Sequence, residues 1–284
     1  MTALAPVSVD TPSGLATFLR AGPKTSRAVI LLHGGGLDSA ALSWRLLIPE
    51  LARAYRVIAP NWPGYGGSAA FARPYTIADI GAWLMGVLDA VEIERASFLG
   101  ISMGGGAALW AAVNRPARVD AIIPVGAYGV ADRAPLHLLS FLLTRLPLNR
   151  VYYAMMRKHP QMLKRAVEGL FADPEKVTPA LLSEVRGALA DAGDGEAFTD
   201  FQRGEITPRR LRTVFTPNLN IVRTPALFIH GKSDPLVPLA AVEDAAEAMP
   251  NARLHVMDAG HWPMRERPHA FNETVLAFLD KVTA

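Results

Sequence analysis

Short, uninterrupted apolar runs that end at glycines or turns, separated by segments of helical spacing, constrain this chain more than any other feature. Residues 28–33 read AVILLH and lead straight into Gly34-Gly35-Gly36. Such a run is too short for a typical helix and lacks the alternation of a one-sided strand, so it predicts a strand buried on both faces. Arg56–Pro60, Ala96–Ile101, residues 121–125 and residues 226–230 have the same character. Residues 253–258 read as a last strand and residues 15–20 as an early antiparallel one. Between the runs, Trp44, Leu47, Ile48 and Leu51 follow helical spacing, as do Ile77, Ile80, Leu84, Val87, Leu88 and Val91. Phe271, Val275, Phe278, Leu279 and Val282 line one face of a terminal helix. This alternation predicts an α/β fold with a mostly parallel sheet covered by helices on both faces.

The rhythm lapses over residues 129–216, where no strand signal appears and prolines break the chain into short helices. The organisation read from this is a sheet core at 1–128 and 217–284 with a helical cap inserted at 129–216. Residues 136–146 (LHLLSFLLTRL) are apolar nearly all round, which predicts a helix covered on most sides. Leu138, Leu139, Phe141, Leu142, Tyr152 and Met156 are the candidate lining of a pocket roofed by the cap.

Four motifs carry chemistry. Gly100-Ile101-Ser102-Met103-Gly104 is a G-x-S-x-G sequence placed between an apolar strand and a helix, the setting a nucleophile elbow requires. The helix N-terminus presents free N–H groups to developing negative charge. His33-Gly34-Gly35-Gly36 ends another buried strand, and its glycines permit close backbone approach, so an N–H here can join that of Met103 in an oxyanion hole. Gly34, Gly36 and Trp262 are further candidate substrate contacts, while His33 reads as a structural hydrogen-bonding residue. Asp234, in Gly231-Lys232-Ser233-Asp234-Pro235, and His261, in Gly260-His261-Trp262-Pro263, each follow a predicted strand. A serine hydroxyl needs a base to take its proton, and an imidazole needs a carboxylate to fix its tautomer. Ser102, Asp234 and His261 supply nucleophile, orienting acid and base in the order expected of this fold. Asp258 is the competing acid and reads as a turn residue.

These motifs, together with the loop Asn61-Trp62-Pro63-Gly64-Tyr65-Gly66-Gly67-Ser68, resemble the α/β-hydrolase superfamily from about residue 28 to the end, apart from the insertion. The resemblance implies an eight-stranded sheet, a helical cap after the sixth strand, no cofactor, and Gly35 and Met103 as the oxyanion-hole donors. Asn61 stands where the family usually has Asp, which implies a change in a local hydrogen bond. The HGGG stretch and Trp262 are also similar to the meta-cleavage-product hydrolases, which break a C–C bond in vinylogous diketo acids. Leu37 and Ile101 stand where those enzymes usually show Pro and Asn. This ranks hydrolysis of a carboxylic ester of a small to medium, largely apolar substrate first and C–C hydrolysis second. A non-catalytic ligand-binding protein of the same fold is the third reading, which turnover of a simple ester separates from the other two.

Composition narrows the setting. The chain has 284 residues and no cysteine, which excludes disulfides, thiolate metal sites and a cysteine nucleophile; no metal site is expected. A net charge of +3 is too small to point to nucleic acid. With no evident leader and no apolar run long enough to span a bilayer, the expectation is a cytoplasmic monomer or homodimer acting on a small-molecule ester, without integral membrane association. The charge is unevenly spread. Arg133, Arg145, Arg150, Arg157, Lys158, Lys164 and Arg165 fall in a stretch without an Asp or Glu until Glu168. Three readings stand: a solvated rim balanced by later acids, attraction of anionic substrates, or loose attachment to an anionic membrane or a partner.

Overall fold

The computed structural model describes residues 5–283. Eight strands form one sheet: β1 (Val7–Thr11), β2 (Gly14–Ala21), β3 (Ala28–Leu32), β4 (Arg56–Pro60), β5 (Ala96–Ile101), β6 (Val119–Val125), β7 (Ala226–Gly231) and β8 (Ala252–Met257). Their spatial order is β1-β2-β4-β3-β5-β6-β7-β8. The β1–β2 and β2–β4 pairs are antiparallel and all others are parallel.

The central strands are buried along their whole length because helices cover both faces. Successive residues of β3 divide between two apolar cores, Ile30 and Leu32 facing one and Val29 and Leu31 the other. On the first face lie α3 (Ile77–Ala90), α4 (Met103–Asn114) and α10 (Leu239–Ala248). On the second lie α1 (Ala40–Trp44), α2 (Ile48–Leu51) and α12 (Pro268–Thr283), with the short α11 (Pro263–Glu266) before it. Helix α3 starts at a complete capping box in which Thr76 and Asp79 satisfy each other's backbone N–H groups.

β1 was not anticipated by the apolar-run argument. At the sheet edge only one face of Val7–Thr11 is covered, and its V-x-V alternation is a short and weak signal. The Trp44-to-Leu51 stripe is buried as expected but is divided into two short helices, with Pro49 near the start of the second.

Between β6 and β7 the chain forms α5 (His137–Leu143), α6 (Leu148–Lys158), α7 (Pro160–Glu168), α8 (Pro179–Asp191) and α9 (Glu196–Glu205). Tyr153, Met156, Leu163, Val167, Leu181, Val185 and Leu189 pack into the second apolar core, continuous with the sheet. One expectation is overturned here. The 136–146 stretch is not covered: Leu136 is 78% exposed and Leu138 61%, and Leu139, Leu142, Leu143 and Leu146 are also exposed. The seven-residue α5 touches the molecule mainly along the side bearing Thr144, so an all-round apolar sequence leaves most of its surface in solvent.

Candidate active site

Ser102 stands between β5 and α4 with φ 53° and ψ −114°, a conformation that costs a non-glycine residue energy. Surrounding bonds hold it there. Its N–H donates to Val125 O at 2.9 Å, and its carbonyl accepts from Gly106 and Tyr128, each at 2.9 Å. The flanking glycines are demanded by packing, because a Cβ on Gly104 would lie 2.2 Å from Leu32 O and one on Gly100 would lie 2.2 Å from Gly104 O. The strand and helix can approach this closely only without those side chains, which turns the serine outward into a cavity of about 340 Å³.

His261 opens on the same cavity. Its Nδ1 lies 2.7 Å from Asp234 Oδ2, and its backbone N–H donates to Leu170 O at 2.7 Å. Asp234 Oδ1 accepts the backbone N–H groups of Leu236 and Val237 at 2.8 and 3.0 Å. Burial pushes the Asp234 carboxyl up, but the hydrogen bond and charge of His261 and the two backbone donors outweigh it, leaving it below its ordinary value. An ionised Asp234 therefore fixes the Nδ1–H tautomer and leaves Nε2 to accept a proton. Asp258, the competing acid, is exposed and lies 3.5 Å from Arg267.

The glycine loop is pinned on both sides of Gly35. Gly34 N–H donates to Asp38 Oδ2 at 2.7 Å and Gly36 N–H to Tyr65 Oη at 3.2 Å, whereas the Gly35 N–H has no acceptor among the described residues. Met103 is the first residue of α4, where N–H groups lack an intrahelical acceptor. Gly34, Gly35, Gly36, Met103 and Trp262 all line the cavity beside Ser102. His33 sits beneath the loop. Its Nδ1 is 2.7 Å from Gly34 O, and its Nε2 accepts the Trp62 N–H at 3.1 Å. Burial lowers its pKa to about 3, so it stays neutral and structural. Asn61 keeps a hydrogen-bonding role in place of Asp, accepting from Ala40 N–H and donating to Thr17 Oγ1.

The proposed lining from the helical segment is corrected by the structure. Leu138, Leu139, Leu142 and Tyr152 are exposed, Phe141 lies under the Arg145 guanidinium, and Met156 is in the apolar core; none lines the cavity. The wall comes instead from Ala134, Pro135, Leu170, Phe198, Phe201, Gln202, Ile206 and Leu211, with Leu236 and Val237 from the Asp234 loop. The Phe198 ring is so close to the glycine loop that a Cβ on Gly35 would lie 2.7 Å from it. The wall carries two fully charged side-chain types, Arg133 and Glu205. Glu205 is fully buried and accepts from Ile77 N–H, Tyr128 Oη, and the N–H and hydroxyl of Thr213. Among the described residues no cluster of His, Asp or Glu is arranged to hold a metal.

Three features lay beyond the sequence argument. Phe198 sits in a polar helix with no signal of its own. Glu205 ends the same helix and takes its partners from distant segments. Glu266 accepts the N–H groups of Ala172, Asp173 and Gly260 at 3.1, 2.9 and 2.8 Å. Leu236 and Val237 could have been found, since they directly follow the Asp234-Pro235 turn.

The sequence profile described as the alpha/beta hydrolase fold matches residues 27–268. The chain belongs to the alpha/beta hydrolase fold family. Among relatives of this alpha/beta hydrolase is a 2-hydroxymuconate semialdehyde hydrolase from Pseudomonas sp. (strain CF600), 31% identical over 265 residues that cover 90% of this chain and 88% of the relative. A putative carbamate hydrolase from Caulobacter sp. (strain K31) is 28% identical over 275 residues, covering 95% and 97%. In structure the hydrolase resembles a meta-cleavage product hydrolase from Pseudomonas fluorescens IP01 with acetates bound. That match has a TM-score of 0.81 and 28% identity over 98% of each chain. No helix among the described residues is long and apolar enough to cross a membrane.

Proposed function

We propose that this protein is a serine hydrolase that cleaves a C–C bond in a vinylogous diketo acid. Ser102 would act as nucleophile, His261 as general base, and Asp234 as the carboxylate that orients it. The observation that carries the serine chemistry is the 2.7 Å contact of His261 with Asp234 in a cavity that also receives the strained Ser102. The choice of bond is supported by the relatives, whose names include several 2-hydroxy-6-oxo-dienoate hydrolases at 29–32% identity. It reverses the ranking that Leu37 and Ile101 suggest in the sequence.

In the proposed reaction His261 Nε2 takes the Ser102 proton as Oγ adds to the substrate ketone. The Gly35 and Met103 N–H groups stabilise the oxyanion. The substrate reacts as its diketo tautomer, in which the carbon next to the ketone is a methylene. Collapse breaks the bond between them, and the electron pair passes through the C=C into the 2-keto group as the dienolate takes the proton from His261. Water activated by His261 then hydrolyses the acyl-serine. The helical segment between β6 and β7 would serve as a lid that excludes water. Arg133 is the wall's cation for a substrate carboxylate.

Ester hydrolysis on the same residues is the second reading. It is favoured by one observation: apart from Arg133 the wall is mostly apolar and carries the buried Glu205 side chain, a poor setting for an anionic substrate. The test compares kcat/KM for a 2-hydroxy-6-oxo-dienoate and a p-nitrophenyl ester. Preference for the dienoate by about a hundredfold or more is expected. The opposite preference would assign the enzyme to esters.

A further inference from the structure

Among the described residues, fourteen large hydrophobic side chains are exposed, and ten of them fall within residues 136–155. They occupy α5, α6 and the residues that flank α5. On α6, Leu148, Val151 and Met155 recur at helical spacing on the exposed side, while Tyr153 and Met156 hold the opposite side in the core. On α5, Leu138, Leu139 and Leu142 are exposed. The turn between the two helices and the start of α6 are fastened to α9 and its C-terminal end, through Arg145 to Arg203 O and Ile206 O and through Asn149 to Thr199 and Gln202. The exposed apolar side chains follow one another along residues 136–155 on both sides of this anchor. A contiguous apolar surface of this kind marks a site of interaction.

The charge of the same stretch of chain points to the occupant. No acid occurs from Arg133 to Val167, whereas seven Arg and Lys side chains do. Arg150 and Lys164 pair with Asp194 and Glu168, and Arg157 is held by the carbonyls of Leu189 and Gly193. Lys158 and Arg165 have no ion pair among the described residues. We propose that the outer face of α5 and α6 is a docking surface for an anionic lipid bilayer.

An amphipathic segment with leucine on one side and cations at its margin lies in the headgroup boundary rather than spanning it. Helices of seven and eleven residues are too short to do otherwise. A second copy of the chain fits less well, because a two-fold contact places the same patch on itself and opposes its cations. A protein partner fits less well too, because the surface is built of leucine, which is under-represented among residues that dominate protein interfaces. The surface adjoins the cavity mouth, since Ala134 and Pro135 line the cavity immediately before the exposed Leu136. Docking would bring that mouth to the headgroup boundary.

The test is co-sedimentation of the full chain with vesicles of phosphatidylcholine alone and with vesicles containing phosphatidylglycerol. Two variants accompany it: Leu139→Gln with Leu142→Gln, and Lys158→Gln with Arg165→Gln. None of these four residues lines the cavity, and thermal unfolding checks that each variant folds. Wild type is expected to bind the anionic vesicles about tenfold or more better than the neutral ones, with salt weakening the binding. The cation variant should lose that preference, and the leucine variant should bind both about tenfold or more weakly than wild type. No binding to anionic vesicles at low salt, or unchanged binding by a folded leucine variant, would overturn the proposal. Self-association that the leucine substitutions abolish, without vesicle binding, would reassign the surface to a second copy.

Discussion

Glu266 accepts the backbone N–H of Gly260 at 2.8 Å, one residue before His261. The same buried carboxylate takes the N–H groups of Ala172 and Asp173, so one side chain ties the segment after α7 to the loop of the proposed base. Leaving buried donors unpaired costs about 1–3 kcal/mol each. Glu266→Ala is expected to lower stability by about 3 kcal/mol or more and to reduce kcat more than it raises KM, since it loosens the loop that carries His261. Glu266→Gln, which keeps one acceptor oxygen, should fall between. Unfolding curves and steady-state kinetics on both variants measure this, and an unchanged midpoint for the alanine variant would refute the clamp.

Asp234→Asn should preserve the packing but favour the wrong imidazole tautomer, lowering kcat by up to about four orders of magnitude. Asp258→Asn, at an exposed side chain beside Arg267, should leave kcat within about twofold of wild type. If the two variants ranked the other way, Asp234 would not be the orienting acid.

Removing the proposed nucleophile with Ser102→Ala should lower kcat by on the order of a millionfold while the chain still folds. A fluorophosphonate should label wild type at Ser102 and leave the variant unlabelled. Mass spectrometry locates the adduct, and an adduct on another serine would displace Ser102 from its role.

What could be read from the chain alone follows from how local each signal is. The interior strands were legible because burial on both faces demands unbroken apolar runs, as in AVILL of β3. The edge strand β1 lacks that demand and was missed. The convergence of Ser102, Asp234 and His261 was legible because each stands within a few residues of a strand's end, and strand ends gather on one rim of a parallel sheet. The helical segment was opaque for the opposite reason. An apolar helix there reads the same whether it roofs a pocket or faces outward, and Leu138, Leu139 and Leu142 face outward. Phe198 and Glu205 owe their places to tertiary contacts that no spacing records.

The pocket wall gives a sharper test of size selection. Phe198→Ala removes the ring against Gly35 and should raise kcat/KM for substrates with bulkier acyl groups relative to acetyl by roughly 10–200-fold. Leu139→Ala, outside the wall, should leave that ratio unchanged. Kinetics over esters or ketones of graded size distinguish the two, and equal shifts in both would place the wall elsewhere.

Burial pushes the Asp38 carboxyl up to about 6, against hydrogen bonds from Ser43, Gly34 and Ser39. The folded chain then holds a proton that the unfolded chain has released. Asp38 thus contributes stability that is fully present below about pH 4 and lost as pH rises to about 6. The difference amounts to about 3 kcal/mol at most. Asp38→Asn should remove this part of the pH dependence, which urea unfolding across that range measures against wild type. Parallel curves for the two proteins would show that Asp38 does not titrate there.

The turn around Ser102 inverts the usual relation between importance and replaceability. A side chain added at Gly100 or Gly104 would meet backbone at 2.2 Å and break the fold, whereas the serine hydroxyl carries no capping bond. The proposed nucleophile is the residue the architecture can do without, and a glycine there would even relieve its backbone. A lineage carrying this scaffold therefore stands one substitution away from a folded but inert descendant. Such a descendant keeps its cavity and can be recruited to hold ligands it no longer consumes.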